Sequence, residues 1–298
     1  MTNKLQTTRW AVDLSTWPSP TMNQLTQAIA AIQPEERIRL MKFYFINDFL
    51  SSLVGRLLMR KYVSQSCNLP YADIKFARDA RGKPYWLRSE QTTADEESCR
   101  MPNLSFNVSH HGRYVILAGA VDSENSENDF GIGCDVMKLE YSGGKDLKEF
   151  FRIMQRKFAD SEWRYIRQPH FNQQQQIKAF MRHWCLKESY VKELGVGITV
   201  DLEKIVFSVD SSKDLTMESQ TLCSTTLKCN DEPMNNWHFE EHMLHPKYCA
   251  AIAFRNFKPE SLEKFEVLQI DELLQASPLQ DEPEIIDYCR QALNKPLK

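Results

Sequence analysis

The sequence predicts an α+β protein made of two similar halves. Alternating apolar residues indicate strands, and segments with helix start signals stand between them. Short strings also recur in the same order along the chain. Residues 74–79 (IKFARD) resemble residues 205–210 (IVFSVD), residues 114–118 (YVILA) resemble residues 248–252 (YCAAI), and residues 12–14 (VDL) resemble residues 134–136 (CDV). Such repetition favours two related units, with the ligand site in a cleft between them.

The elements of the first half follow from local patterns. The alternation around Trp10 predicts the first strand. Thr21 is expected to cap a helix, Pro34 to begin the next one and Asp48 to cap a third, since these residue types favour helix N-termini. Two apolar runs within residues 74–87, separated by a glycine-containing turn, predict a hairpin.

The second half contains the two elements that matter most for function. Residues 131–137 are almost all apolar and predict a buried strand, as do residues 114–121 at the end of the first half. Residues 174–194 predict a helix that ends at Gly195, because glycine is the preferred residue just beyond a helix C-terminus.

The predicted boundaries follow changes in composition. The first half spans residues 8–122, the second spans residues 130–257, and the polar segment 122–129 joins them. Residues 88–100 are acidic and polar, which predicts a surface loop. Residues 258–298 are expected to form a tail with one added strand and a loose end.

Composition excludes several classes of protein. A net charge of −3 does not favour nucleic acid as a partner. The ten glycines form neither a P-loop nor a Rossmann fingerprint. The eight cysteines contain no C-x-x-C and no zinc-type spacing with histidine, so buried thiols are expected. The N-terminus has no targeting pattern and no apolar run is long enough to span a membrane, so we expect a cytoplasmic (cytosolic) protein that does not bind membranes.

Two carboxylates occupy apolar surroundings. Glu188 falls in the apolar stripe of the predicted helix, one turn before Lys192. That stripe consists of Ile177, Phe180, Met181, Trp184 and Val191. Asp135 is the single acid of the predicted buried strand. A Glu188–Lys192 pair on a half-exposed face, and an Asp135 that ends a strand or caps a loop, are the structural alternatives. Together the two acids favour a shared Mg²⁺ and therefore a phosphate ester or anhydride as substrate.

Two further segments offer groups that could bind phosphate. Residues 107–112 (NVSHHG) supply amide, hydroxyl and imidazole donors before a glycine. Arg78, Arg81 and Lys83 surround a tight turn, and Arg39 adds a cation on the preceding helix. A turn with hydrogen-bonded histidines, and solvent-exposed charge at a hairpin tip, are the alternatives that the sequence leaves open.

Taken together, these motifs resemble the larger, Sfp-like phosphopantetheinyl transferases. The segments that carry the resemblance are residues 106–110 (FNVSH), 133–136 (GCDV), 158–163 (FADSEW) and 184–192 (WCLKESYVK). The G-x-D and W-x-x-K-E-[SA]-x-x-K motifs are the most specific of them. The strings IQPEE at 32–36, GRLLMRK at 55–61 and GKP at 82–84 resemble the animal members of this family.

The resemblance implies a function, a fold and a set of site residues. The implied reaction is Mg²⁺-dependent transfer of the 4′-phosphopantetheine arm of coenzyme A to a carrier-protein serine, with release of adenosine 3′,5′-bisphosphate. The implied fold is a pseudo-twofold pair of α+β halves. The implied metal ligands are Asp135 and Glu188. The implied coenzyme A contacts are Arg39, Arg78, Asp79, Ala80, Arg81, Gly82, Lys83, Asn107, Val108, Ser109, His110, Asp135, Glu188 and Lys192.

One position departs from the family pattern. Bacterial Sfp-like enzymes have a second acid two residues after the aspartate, where this chain has Met137. The resemblance therefore supports two protein ligands, with water in the remaining place. Glu188 becomes the favoured general base, acting directly or through a water on the metal, and Lys192 is expected to offset charge on the diphosphate. We assign both residues as catalytic.

The expected partners are coenzyme A and apo acyl- or peptidyl-carrier domains. Carriers of fatty-acid synthase, mitochondrial, folate-dehydrogenase and aminoadipate-reductase type all remain open, and we expect the enzyme to be a monomer. Residues 145–167 carry more basic than acidic side chains, with Phe150, Phe151 and Met154 among them, and could dock an acidic carrier. A solvated helix face explains the same pattern.

Two other functions share part of this residue set. A Mg²⁺-dependent phosphohydrolase would use the acids, but it needs a nucleophile or a water-activating dyad that the sequence does not offer. A non-catalytic coenzyme A-binding module would keep the cations but has no need for Glu188.

Overall fold

The computed structural model describes residues 5–88, 101–123, 129–217, 221–274 and 283–297. The helices in these ranges are α1 (Met22–Ala30), α2 (Pro34–Met41), α3 (Ile46–Cys67), α4 (Leu147–Ile153), α5 (Asp160–Ile166), α6 (Gln173–Leu194) and α7 (Pro283–Leu293). The strands are β1 (Gln6–Asp13), β2 (Lys75–Arg78), β3 (Pro84–Leu87), β4 (Asn103–His111), β5 (Tyr114–Asp122), β6 (Gly131–Lys138), β7 (Ile205–Ser208), β8 (Thr226–Cys229), β9 (Glu232–Pro233), β10 (Trp237–His245), β11 (Tyr248–Arg255) and β12 (Glu266–Val267). Helices and mostly antiparallel sheets together confirm the predicted α+β class.

The chain divides into two units. Unit 1 takes its described residues from 1–104, 108–126 and 266–298, and unit 2 from 105–107 and 127–265. The interpretation of two related halves stays a prediction. Residues 89–100 of the predicted surface loop and residues 124–128 of the predicted junction lie outside the described ranges.

Unit 1 is organised around one sheet and one long helix. The strand order is β12-β1-β5-β4, and α3 packs against β5. Their approach is close, because a Cβ on Gly119 would lie 2.4 Å from the ring of Tyr62. The predicted hairpin is confirmed: β2 and β3 pair antiparallel, with Arg78 opposite Pro84.

Unit 2 places α6 across the sheet β10-β11-β6, and β7, β8 and β9 form a second sheet. Every residue of β6 from Gly131 to Val136 is buried, which confirms the predicted buried strand. Helix α6 ends at Gly195 with a φ of 64°, in the left-handed conformation that glycine tolerates. The aromatic residues Phe151, Phe158, Trp163 and Phe180 form a separate core cluster under α4 and α5.

Several predicted helix boundaries are confirmed and two predictions need correction. Thr21 caps α1 through a reciprocal capping box with Gln24. Helix α3 begins at Ile46, so Asp48 lies in its first turn and does not cap it. The predicted loose end contains α7, because Ile285 and Cys289 lie one turn apart and are buried.

Within the described ranges, no helix combines the length and the apolar character that crossing a membrane requires.

Candidate active site

Asp135 on β6 and Lys192 on α6 form a charged pair. The Lys192 Nζ donates to Asp135 Oδ1 at 2.5 Å. The side chains are 30% and 3% exposed, so the carboxylate is buried and the lysine side chain is partly buried. Burial by itself lowers the pKa of Lys192, but the charge of Asp135 and its hydrogen bond outweigh burial and raise it. Lys192 is therefore a firmly protonated cation at neutral pH.

Glu188 lies one helical turn before Lys192 and is half-buried. Burial raises the pKa of Glu188, the negative charge of Asp135 raises it further, and Lys192 opposes both effects. The carboxylates of Asp135 and Glu188 are therefore close enough to repel one another. Two repelling carboxylates at one place are a donor set that suits a hard divalent cation.

Asp135 and Glu188 are the two acids expected to bind a cation here. Met137, two residues after Asp135, packs against the hydrophobic core of unit 2. Among the described residues, no three His, Cys, Asp or Glu side chains come together as a metal-binding group. A cation held by Asp135 and Glu188 would take its other ligands from water and substrate oxygens, as Mg²⁺ commonly does.

Close packing and a bridging amide fix β6 relative to α6. A Cβ on Gly133 would lie 2.1 Å from the Ser189 carbonyl oxygen, so only glycine permits this approach. The Asn107 Oδ1 accepts the Cys134 N–H at 3.3 Å, and its Nδ2 donates to the Lys192 carbonyl at 3.5 Å. Asn107 is buried and its carboxamide bridges the two elements that carry the acids.

The buried face of α6 differs from the predicted stripe. Ile177, Met181, Trp184 and Glu188 are half-buried, while Lys187 on the next face is fully buried. The Lys187 Nζ lies 2.8 Å from Glu162 Oε2 and also donates to the carbonyls of Leu202 and Ile205. Apolar periodicity missed this face because its charges are paired. The sequence signal for this buried face was the position of Lys187, one helical turn before Tyr190 and Val191.

In unit 1, three arginines surround the buried carboxylate of Glu36. Arg78 contacts both Glu36 oxygens, with Nε at 3.1 Å from Oε1 and Nη2 at 2.9 Å from Oε2. Arg56 pairs with the same carboxylate, and Arg39 Nε lies 4.0 Å from it. Burial would raise the pKa of Glu36, but the hydrogen bonds and charges of Arg78 and Arg56 lower it. Three cations around one anion leave net positive charge here. Glu36 is a candidate functional residue that the sequence patterns do not indicate.

The turn between β2 and β3 is held by Asp79. Its Oδ1 accepts the backbone N–H groups of Arg81 at 2.9 Å and Lys83 at 2.8 Å. Gly82 has a φ of 88°, which requires glycine, and the turn residues 79–82 are exposed. Asp79 therefore shapes the turn, and Ala80 and Arg81 are exposed at its tip.

Residues 108–110 lie in β4. Val108 is half-buried and packs near Gly55, where an added Cβ would lie 3.1 Å from its Cγ1. Ser109 is buried and His110 is exposed. The candidate residues thus form two sets. Asn107, Asp135, Glu188 and Lys192 belong to unit 2, and the others belong to unit 1.

Comparison with known proteins identifies the family. A family model described as 4′-phosphopantetheinyl transferase, N-terminal, matches residues 15–122, and one described as the 4′-phosphopantetheinyl transferase superfamily matches residues 131–253. L-aminoadipate-semialdehyde dehydrogenase-phosphopantetheinyl transferases from Rattus norvegicus and Homo sapiens are similar to the chain. The rat protein is 36% identical over 85% of this chain and 75% of its own length, and the human protein is 34% identical over 94% and 83%. The 4′-phosphopantetheinyl transferase of Bacillus subtilis is 26% identical over 77% of this chain and 90% of its own length. The chain therefore belongs to the 4′-phosphopantetheinyl transferase superfamily.

Proposed function

We propose that this enzyme transfers the 4′-phosphopantetheine arm of coenzyme A to a serine of an apo carrier protein, with Mg²⁺ bound by Asp135 and Glu188. Transfer of phosphopantetheine is the activity of its family. The observation that carries the residue assignment is the arrangement of Asp135, Glu188 and Lys192, in which two carboxylates and one ammonium meet on adjacent elements.

The proposed reaction is a displacement at phosphorus. The serine hydroxyl oxygen attacks the phosphorus that bears pantetheine, and the bond from that phosphorus to the bridging diphosphate oxygen breaks. The electron pair leaves with adenosine 3′,5′-bisphosphate. Glu188 accepts the serine proton, directly or through a water molecule. Lys192 offsets the negative charge that develops on the diphosphate.

Mg²⁺ suits the donor set of this site. Asp135 and Glu188 offer only carboxylate oxygens, and their mutual repulsion would be relieved by a divalent cation. When bound there, Mg²⁺ would neutralise and polarise the diphosphate.

The nucleotide end of coenzyme A carries a terminal phosphate. We propose that the arginines around Glu36 bind this phosphate. Arg39 is 54% exposed, so its guanidinium is accessible to a ligand. The fixed fork of an arginine matches the geometry of a phosphate group. Arg81 and Lys83 on the neighbouring hairpin turn add further positive charge.

The carrier is proposed to dock on the basic surface of α4 and α5. Arg152, Ile153, Arg156 and Arg164 are exposed there, and Ile153 is 52% exposed. Glu162, an acid of the same segment, is buried against Lys187, so it does not reduce the surface charge. Phe151 belongs to the core and Phe150 and Met154 pack against it, so Ile153 replaces them as the apolar contact.

Charge reversal at Arg152 and Arg156 should slow association with an acidic carrier, and most strongly at low salt. Unchanged kinetics at low salt would remove this face from the proposal. Because the similar rat and human proteins are named for aminoadipate-semialdehyde dehydrogenase, a carrier domain of that type is the first substrate to test.

Intact-mass spectrometry of an apo carrier tests the function. The purified enzyme, coenzyme A and Mg²⁺ should add one phosphopantetheine arm to the carrier, and a chelator should prevent it. Hydrolysis of coenzyme A without transfer would indicate a phosphohydrolase, and binding without turnover would indicate a non-catalytic module. Glu188→Gln should slow turnover by about 10²–10⁴-fold. Near-normal turnover of this variant at saturating Mg²⁺ would refute the base assignment.

A further inference from the structure

Two helices of unit 1 meet at a joint where the second helix has no side-chain cap. Helix α2 ends at Met41 and α3 begins at Ile46. Phe45, the residue before α3, provides no side-chain cap. Helix ends leave carbonyl and N–H groups without helical partners, and these groups need other partners.

The carboxyl-terminal segment supplies those partners from far along the chain. The Lys295 Nζ donates to the Met41 carbonyl at 3.0 Å and to the Phe43 carbonyl at 2.5 Å. The Pro296 carbonyl accepts the Ile46 N–H at 3.0 Å. A cation thus lies at the C-terminus of α2, and a carbonyl at the N-terminus of α3, which are the favourable arrangements for both helix dipoles.

Helix α7 anchors this segment. Ile285, Cys289 and Ala292 are buried, and α7 packs against α1 and α3. The Tyr288 hydroxyl donates to the Arg37 carbonyl of α2 at 2.7 Å, and its ring centroid lies 6.3 Å from that of Phe49 on α3. The segment therefore contacts both helices in addition to capping them.

The same two helices carry the arginine cluster. Glu36 and Arg39 lie on α2, Arg56 lies on α3, and the Glu36 carboxylate pairs with Arg56 across the two helices. Any change in the angle at the α2–α3 joint would therefore move Arg39 and Glu36 relative to Arg56.

We infer that Tyr288, Lys295 and Pro296 position the coenzyme A site: they set the α2–α3 joint and so hold the Glu36–Arg39–Arg56 cluster in the form that binds the terminal phosphate. This inference rests on the proposed function, since that function supplies the phosphate. These three residues have no catalytic role, and the positioning involves residues of unit 1 alone.

The test compares Lys295→Met with Arg290→Met. Arg290 lies on α7, and its exposed side chain pairs with the exposed Asp287 of the same helix, so its replacement removes one positive charge away from the joint. Calorimetry measures the dissociation constants of coenzyme A and of 3′-dephospho-coenzyme A for each protein. Transfer to an apo carrier supplies kcat.

Lys295→Met should weaken coenzyme A binding by about three- to tenfold, the equivalent of losing a charged cap. Binding of the dephospho compound should change by less than about twofold, because it lacks the phosphate that the cluster binds. The kcat at saturating coenzyme A should stay near the wild-type value, and Arg290→Met should match wild type throughout. Tyr288→Phe, which keeps the ring, should show the same selective loss in weaker form.

Equal weakening of both ligands, or no weakening of either, would overturn the inference. Hydrogen exchange gives a second criterion: the Ile46 amide should exchange faster in Lys295→Met while amides of α6 stay protected. Unchanged exchange at Ile46 would also overturn it. Failure of the proposed function is recognised separately, because the wild-type protein would then neither bind coenzyme A nor modify the carrier.

Discussion

A Cβ atom on Gly133 would lie 2.1 Å from the carbonyl oxygen of Ser189. This contact sets how closely β6 approaches α6. Asp135 lies two residues beyond Gly133, and Glu188 directly precedes Ser189, so the same packing fixes the spacing of the two candidate metal ligands. The glycine of the G-x-D motif therefore serves the geometry of the acids.

Gly133→Ala should separate the two elements. The added methyl meets backbone atoms of Ser189 and Glu193, which cannot rotate away, so we expect a loss of about 1–3 kcal/mol in unfolding free energy. Transfer activity should fall as well, at a temperature where the variant remains folded. Gly144→Ala is the matched control, since nothing lies within 4 Å of its added Cβ. Equal stabilities for the two variants would contradict the packing argument.

The buried ion pair of Lys187 and Glu162 should stabilise the fold only when both partners are present. Both side chains have 0% exposure and their N–O distance is 2.8 Å. Removing either partner leaves a buried charge uncompensated, so Lys187→Met or Glu162→Gln should each cost about 3–5 kcal/mol of unfolding free energy. The double variant should be more stable than the sum of the two losses predicts. Additive losses in a denaturant double-mutant cycle would show that the two groups do not interact.

The buried His183 should make the stability of unit 2 sensitive to acid. Burial lowers its pKa from 6.5 to about 4, and its Nδ1 lies 2.9 Å from the Ala179 carbonyl. Because the folded state disfavours the charged ring, stability is present above pH 6.5 and is lost as the pH falls towards 4. In His183→Gln, the decrease in unfolding free energy between neutral and acid pH should be smaller than in wild type by about 2–3 kcal/mol. Parallel stability profiles for the wild type and this variant would be inconsistent with a buried neutral His183.

In metal-free protein, Glu188 should have the opposite effect to His183 on the pH dependence of stability. Its pKa is raised on folding, so its ionisation costs stability once the pH exceeds the unfolded value of 4.5. In the presence of a chelator, Glu188→Gln should therefore melt at a higher temperature than wild type at neutral pH, with no difference at acid pH. Mg²⁺ should raise the melting temperature of wild type more than that of the variant. A less stable variant at neutral pH would argue against the repulsion from Asp135.

The fold could be predicted where local signals determine the structure. Thr21, Pro34 and Gly195 marked helix ends, and the apolar run of β6 was unmistakable, because capping and burial act on a few adjacent residues. The start of α3 was missed because its N-terminal N–H partner is the Pro296 carbonyl, which no local pattern could indicate. Helix α7 was missed because polar residues around it outweighed three buried positions.

For the candidate site, Asp135 and Glu188 were identifiable as acids in apolar surroundings. The groups that hold the site together were not identifiable in this way. Glu36 reads as an ordinary first-turn acid, and only the fold brings Arg56 and Arg78 to it. Lys187 reads as a surface charge until Glu162 is placed beside it. Asn107 was predicted as a ligand contact, and the structure gives its carboxamide two backbone partners.

The most direct test of the central claim is the rate of holo-carrier formation by Lys192→Met, followed by intact-mass spectrometry. Lys178→Met, on the same helix and outside the site, is the control. If the Asp135–Glu188–Lys192 arrangement carries the reaction, kcat/KM for Lys192→Met should fall by about 10²-fold or more, with the control within a few fold of wild type. A Lys192→Met enzyme that modifies the carrier at the wild-type rate would contradict the account.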